Sequence, residues 1–448
     1  MTPTGNWPRD DFVRCENGTA QNGQAKDIVV NDRVNGTFRI AIIGGGPAGL
    51  MAADVLTRAA DPTIRVAVYE RMPSLGRKFL MAGRGGLNLT HSEPLDRFVT
   101  RYGTAAEKLA PALAALPPQD LRDWAEALGE PTFVGSSGRV FPKSFKASPL
   151  LRAWLRRLAA RGVTLHTRHR WDGWSADGAL RFVTPEGSQA VAADATLLAL
   201  GGASWPKLGS DGGWVDILTA AGIPVTPLRP ANCGLLLEWS PLFRERFHGQ
   251  PLKRIALTLG ERTVRGEAMV TRNGLEGGAV YALSAAVRDA LGNTVPVTLT
   301  LALRPDMTMD DLAARLTRPR GKQSLAGFLR KAVQLAPPAI GLLHETALAA
   351  GRRLTDFAPA QLAALINAVP LPVRDVTALD RAISTAGGVP FAALDADLMV
   401  RDRPGLFVAG EMLDWEAPTG GYLLQATMAT AVVAANGIMI RKRDRDAT

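Results

Sequence analysis

The feature that most constrains this chain is Phe38-Arg39-Ile40-Ala41-Ile42-Ile43 followed at once by Gly44-Gly45-Gly46-Pro47-Ala48-Gly49. A short apolar run rich in Ile reads as a strand buried on both faces, as in parallel sheets. Leu50 to Leu56 then has the Ala- and Leu-rich make-up of a helix. Glycines at 44, 46 and 49 follow the G-x-G-x-x-G spacing. Each has its own task. Gly44 allows a tight strand-to-helix turn, Gly46 lets a pyrophosphate approach the backbone, and Gly49 lets helix and strand pack closely. The helix N-terminus beside Pro47 and Ala48 offers unpaired N–H groups and a positive dipole end to the phosphates.

The spacing alone also fits a ligand-free turn. Its surroundings decide. A second strand, Ile64 to Tyr69, ends on Glu70, 21 residues past Gly49. There a carboxylate accepts hydrogen bonds from a ribose 2′-hydroxyl. An acid at that point favours FAD or NAD over NADP, whose 2′-phosphate it would repel. Strand, glycines, helix, strand and acid in register predict a dinucleotide site on a doubly wound α/β fold.

With 448 residues the chain has the length for two or three domains. Its 46% hydrophobic and 21% charged residues are ordinary for a soluble globular protein. The net charge of +10, carried mostly by arginine, would steer an anionic ligand or aid solubility. No basic run interleaved with aromatics is present, so nucleic acid is not the expected partner. Cys15 and Cys233 stand far apart, which excludes a disulfide framework and suits a reducing cytoplasm. Residues 1–37 are polar, lack the apolar core of a signal peptide, and read as a loosely ordered extension. The apolar run Ala429 to Ile440 is too short to span a bilayer, so no membrane partner is expected. His166 and His169 alternate beside arginines with no further ligands nearby; surface or hydrogen-bonded roles are expected, and no metal.

The loop from Arg71 to His91 is rich in glycine and carries Arg71, Arg77, Lys78, Arg84, Asn88 and Thr90. It follows the ribose-binding strand and must therefore run along the cofactor cleft. It has no cysteine pair, which argues against disulfide chemistry. Helices are expected over 105–128 and 150–161, and strands over 163–170 and 180–184. A buried strand from Ala195 ends on Gly201-Gly202, where the missing side chains would let a cofactor pack. From about Pro227 the pattern changes to strands at 233–239, 252–259 and 295–303. Helices follow between about 306 and 370, opened by Thr308-Met309-Asp310-Asp311, a near capping box. Residues 226–375 thus read as an inserted, barrel-like and helical substrate domain, framed by 38–225 and 376–448. In the return segment a strand from Gly405 ends on Gly410-Glu411, suited to a hydroxylated ribityl chain. Gly420-Gly421-Tyr422 opens a helix to about Asn436, aimed at a flavin ring edge that gains negative charge on reduction. That second dipole asks for FAD, since NAD has no such ring. The tail 441–446 reads as solvated.

With these segments in hand the chain resembles the NAD(P)/FAD-dependent oxidoreductase flavoproteins of bacteria, whose members have been named as bile-acid double-bond reductases or aminoacetone oxidases. The resemblance rests on Gly44 to Gly49, Gly76-Arg77-Lys78 with Asn88-Leu89-Thr90, Gly138 to Pro142, and Gly201 to Ser204. It continues through Thr385 to Val389, Ala409 to Asp414, and Thr419 to Tyr422, about residues 38–436 in order. It implies a glutathione-reductase-like FAD domain with an inserted β-barrel and helical domain. The chain departs from the family where Gly-Arg-Cys-Asn-Leu-Thr is replaced by Gly86-Leu87-Asn88-Leu89-Thr90. It departs again where a Thr-His-x-Gly-x-Ser-Gly-Pro segment gives way to Thr271 to Gly278.

The leading expectation is an FAD-dependent oxidoreductase that takes a hydride at N5 and passes it to a small, possibly unsaturated, organic substrate. Only one dinucleotide fingerprint is present, so NAD(P)H would visit the same cleft transiently. His91 or Tyr422 would supply a proton, and Arg77, Lys78 and Arg84 would offset negative charge. Packing roles for the first two and phosphate positioning for the basic residues are the alternatives. Three other readings stand beside it: an oxygen-using amine oxidase, an RNA-modifying flavoprotein and a non-catalytic flavin sensor.

Overall fold

A computed structural model describes residues 28–30, 36–83, 85–293 and 297–447. Its centre is a five-stranded parallel sheet in the order Leu406–Val408, Ala195–Leu198, Phe38–Ile43, Ile64–Glu70, Thr164–Thr167. Ile40, Ile42 and Ile43 are buried, as a strand covered on both faces requires. Helix Pro47–Leu56 lies against the closing helix Tyr422–Ala447, which also packs on helix Ala106–Ala115. A second layer is the antiparallel meander Arg170–Trp174, Leu180–Thr184, Gly187–Val191. Strand Ile28–Val30 joins its edge in parallel. The rest of the expected 1–37 extension lies almost wholly outside the described residues.

The chain leaves and re-enters this body through a two-stranded ribbon, Thr226–Ala231 against Ser384–Gly388. Between them lies a seven-stranded antiparallel sheet whose edge strands are Val369–Val373 and Asp375–Val376. Those two edges are consecutive in the chain, so the sheet curls back on itself into a barrel-like form. Helix Met309–Leu316 is capped by Thr308, whose Oγ1 accepts the Asp311 N–H at 3.1 Å. One apolar core gathers side chains from 38–223 and 389–438, and a second from 235–373. Asn232 ties the root of the insertion to the first body. Its Nδ2 donates to Ser384 Oγ (2.7 Å) and the Ala417 carbonyl (2.8 Å), and its Oδ1 accepts the Thr419 N–H (3.1 Å). Its φ of 50° is one that Asn tolerates better than most residues.

Three sequence expectations are corrected. The helix over 105–128 is two helices, Ala106–Ala115 and Pro118–Glu126, because Pro117 disfavours helical backbone at Leu116. The strand over 163–170 is also two pieces. The closing helix does not stop near 436 but runs to Ala447. Gly437 fails to break it, since an added Cβ there would lie 2.6 Å from Asp397 Cβ and 2.9 Å from the Phe407 ring. Glycine at that point lets the helix sit down on its neighbours. Residues 443–447 are exposed, as a solvated tail requires, although the tail is helical and partly tied down. Lys442 is buried and its Nζ pairs with Asp446 at 2.5 Å, while Arg445 stacks over Phe38 at 4.7 Å. This helix is long and apolar enough to cross a membrane, and 61% of its apolar window is buried inside the protein. The expected strand from Val295 is described from Val297.

Candidate active site

A cleft of about 440 Å³ opens where the parallel strands end, the usual ligand position in doubly wound sheets. The fingerprint glycines divide their labour as the sequence suggests. Gly44 has φ +113°, and a Cβ there would lie 2.2 Å from the Ala199 carbonyl oxygen. A Cβ at Gly49 would lie 2.0 Å from the Gly44 carbonyl oxygen, so Gly49 serves packing and does not line the cleft. At Gly46 an added Cβ would meet nothing within 4 Å: the space beside it is open. Gly44, Gly46, Pro47 and Ala48 all line the cleft at the N-terminus of their helix.

Glu70 lines the same wall, its Oε2 accepting the Gly45 N–H (2.9 Å) and its Oε1 the Met72 N–H (2.8 Å). Burial raises its pKa, and the two backbone donors work against that rise. Each oxygen keeps acceptor capacity for a ribose hydroxyl. Beside it Arg71 pairs with Asp211 across the cleft. Further along, Lys78 Nζ donates to Ser204 Oγ (2.6 Å) and Glu411 Oε2 (2.8 Å). Glu411 Oε1 accepts the Thr385 N–H at 3.0 Å. Lys78, Glu411, Gly201, Asn88 and Arg77 are cleft residues, and so are Gly420 and Gly421. Gly421, at φ +100°, rests on Thr90, where a Cβ would lie 2.4 Å from the Thr90 carbonyl carbon. Thr90, Gly202 and Gly410 stand behind the wall. At Gly202 a Cβ would meet Thr385 Oγ1 at 2.2 Å, and at Gly410 it would meet Ala48 Cβ at 2.8 Å.

The lining fits a polar, phosphate-bearing cofactor. Arg77 Nε, Asn88 Oδ1 and Ser210 Oγ are buried atoms of cleft residues that have no hydrogen-bond partner among the described residues. Trp171 Nε1 is a fourth. Buried polar atoms left unsatisfied are costly, so four along one cleft mark groups awaiting a ligand.

Two proposed proton donors lie elsewhere. Tyr422 is buried outside the cleft lining, and its hydroxyl donates to Glu93 Oε1 at 2.6 Å. Burial, then the Glu93 carboxylate, pushes its pKa well above the ordinary value, so it holds its proton. His91 stacks on it with ring centroids 5.4 Å apart. His91 Nδ1 accepts the Glu93 N–H (3.1 Å), which leaves Nε2 to donate to the Ser137 carbonyl (3.0 Å). Both nitrogens are spoken for by backbone. Arg84, the third candidate, lies outside the described residues. His169, expected as a surface or hydrogen-bonded residue, hydrogen-bonds the Thr167 carbonyl at 2.8 Å and lines the cleft with Trp171 and Trp214. Among the described residues no three of His, Cys, Asp or Glu converge on a metal-sized site. Sequence reasoning gave no role to Arg139, Ser204 or Thr385. Long-range strand pairing brings Arg139 to the cleft, while Ser204 and Thr385 are buried behind its wall against Lys78 and Glu411.

The HI0933-like protein Rossmann domain family matches residues 38–437. A 3-dehydro-bile acid delta(4,6)-reductase of Clostridium scindens is 28% identical, the alignment covering 88% of this chain and 98% of that protein. A ribosomal RNA dihydrouridine synthase of Escherichia coli is 25% identical, over 90% of this chain and 99% of its own. Among solved structures, the 3-ketosteroid delta1-dehydrogenase of Sterolibacterium denitrificans shares the fold. Its TM-score is 0.50 at 14% identity, covering 91% of this chain and 100% of that one. With the family match over residues 38–437 taking in both bodies and the cleft, the protein belongs to the HI0933-like family and is an FAD-dependent oxidoreductase.

Proposed function

We propose that the enzyme uses NAD(P)H to reduce a carbon–carbon double bond conjugated to a carbonyl group. The observation that carries this reading is the near full-length likeness to the Clostridium scindens reductase, joined to a cleft lined with unpartnered polar atoms. As chemistry, the names of both relatives describe hydrogen added across a C=C bond that lies beside a carbonyl. Bound FAD supplies the hydride relay between donor and acceptor. The chain's own residues do the rest. The Gly44–Gly46 turn and the N-terminus of helix Pro47–Leu56 hold a pyrophosphate, and Glu70 takes the ribose hydroxyls. The 26-residue closing helix points its positive end at Gly420-Gly421, where it offsets negative charge gained on reduction. Lys78, fixed by Glu411 and Ser204, keeps a cation in the wall. With one fingerprint only, the nicotinamide enters and leaves the shared cleft. Cys233 is a free, buried thiol, in keeping with a reducing cytoplasm.

One observation favours a larger substrate as a second reading. Residues 312–344 contain Arg315, Arg318, Arg320, Lys322, Arg330 and Lys331 and no Asp or Glu. All six are exposed. An exposed run of one sign suits a phosphodiester backbone. The reducible base would then be a uracil in RNA, reduced by the same chemistry.

Anaerobic mixing of the yellow holoenzyme with NADPH and then NADH tests the proposal. Flavin bleaching within seconds, followed by reoxidation on adding a conjugated enone, is the expected result. Flavin that stays oxidised with both nucleotides, but is bleached by a primary amine, would point to an amine oxidase.

A further inference from the structure

Five cations of known placement line the cleft: Arg71, Arg77, Lys78, Arg139 and Arg170. Four have partners in the protein. Arg71 pairs with Asp211, Arg77 donates to Ser74 Oγ, Lys78 to Glu411, and Arg170 to Asp172. Arg139 alone among them makes no hydrogen bond or ion pair with the described residues. Its placement is nonetheless well determined. The strand Arg139–Pro142 pairs with Thr90–His91, and Ser92 N–H donates to the Gly138 carbonyl at 2.8 Å. His91 Nε2 grips the Ser137 carbonyl, and a Cβ at Gly138 would lie 2.5 Å from the His91 ring. The turn is thus clamped on both sides, and it delivers Arg139 Nε to within 3.9 Å of where a Gly420 Cβ would sit. That is the end of the cleft where the closing helix begins.

The same strand carries a second anomaly. Phe141 is two residues along and so shares the face of Arg139. Phe133 pairs with it across the hairpin, ring centroids 5.9 Å apart, and Phe145 stacks at 5.5 Å. Phe145 is 49% exposed and held at φ 58°, an uncommon backbone for a bulky residue. The rings of Phe141 and Phe145 lie over Gly86, in the loop that brings Asn88 into the cleft. An aromatic shelf continues from an unpartnered guanidinium at the cleft mouth.

We propose that Arg139 and the Phe133–Phe141–Phe145 shelf form the substrate-docking site, taking a flat, largely apolar ketone whose carbonyl oxygen Arg139 binds. The shelf supplies stacking area for the body of the molecule, and the guanidinium supplies the polar contact that orients it. This rests on the reading of a conjugated acceptor. A hydride derived from NAD(P)H arrives at the β-carbon, and the C=C pair shifts to form the enolate, whose oxygen gains charge beside Arg139. Water then delivers a proton to the α-carbon, so NAD(P)H and one proton are consumed per double bond. His91 acts through the Ser137 carbonyl and is a positioning residue.

The test uses FAD-loaded enzyme reduced by dithionite, mixed anaerobically with 4-androstene-3,17-dione, 2-cyclohexenone or ferricyanide. Binding of each ketone to the oxidised form is read from the flavin spectrum. Arg139→Gln is expected to lower the enone-to-ferricyanide rate ratio about 100-fold for both ketones, in line with loss of an oxyanion donor, with Arg139→Lys in between. Phe145→Ala is expected to weaken the steroid's Kd about 10-fold and leave cyclohexenone within 2-fold. Phe141→Ala repeats that test from the inner ring. Ratios within 3-fold for Arg139→Gln, or equal loss of both ketones in Phe145→Ala, would overturn the site. So would a wild type that binds neither ketone. Binding that depends on Arg139 and Phe145 without reoxidation would keep the docking site and overturn only the double-bond chemistry.

Discussion

At the scale of single residues, Gly44, Gly46 and Gly49 share one motif yet answer to different neighbours. Gly49 faces the Gly44 carbonyl across a gap no methyl group fits, whereas Gly46 faces open cleft. Gly49→Ala should therefore destabilise the apoprotein by about 1–3 kcal/mol through overpacking. Gly46→Val should leave the apoprotein's stability unchanged and strip the flavin, because its branched side chain fills the pyrophosphate's approach. Urea unfolding of apoprotein and flavin absorbance per chain separate the two effects. A Gly46→Val protein that retains full yellow colour would break the assignment. This division was legible in the sequence because the motif is local: turn, helix start and strand contact all fall within six residues. Arg139 was not legible. Its place at the cleft depends on pairing between 90–91 and 139–140, which no local pattern encodes.

At the scale of elements, the N-terminus of the closing helix is secured by a cluster the sequence suggested as chemistry. Arg101 donates twice to Glu93, at 2.9 and 2.6 Å, and the Tyr422 hydroxyl donates once. Arg101 first, then Tyr422, hold the Glu93 carboxyl down at about 2, from an ordinary value of 4.5. Between those pH values the folded protein binds fewer protons than the unfolded chain, so stability rises with pH. The stabilisation is present above about pH 4.5 and is lost as pH falls towards 2. Glu93→Gln should flatten that part of the stability curve and lower stability at pH 7, with NADPH bleaching still present if the cluster is structural. A pH profile of unfolding identical to wild type would remove Glu93 from this role. Helix lengths were misjudged for a related reason. Pro117 split one helix by a purely local rule that was in plain view. Gly437, the usual stop signal, was overruled by packing against Asp397 and Phe407 that the sequence does not display.

At the scale of the molecule, two apolar cores are joined by a two-stranded ribbon and a small set of polar contacts. Asn232 provides one set. Arg288, 7% exposed, provides another by reaching from the insertion to Glu416 at 2.7 Å, just ahead of the Thr419–Gly421 turn. The cleft draws its described lining from one core only: no described residue from 218 to 382 faces it. Cofactor binding energy should therefore enter the first core and reach the second only through the ribbon and those polar contacts. FAD at 100 times its Kd would stabilise the body it touches by about 2.7 kcal/mol. For a body of this size that raises Tm by about 5–10 °C. Calorimetry of apoprotein titrated with FAD should show one transition climbing with FAD concentration and a second that stays in place. If a single transition climbs intact, the contacts at Asn232 and Arg288 bind both cores into one cooperative unit. The insertion would then sense the cofactor although it does not line the cleft.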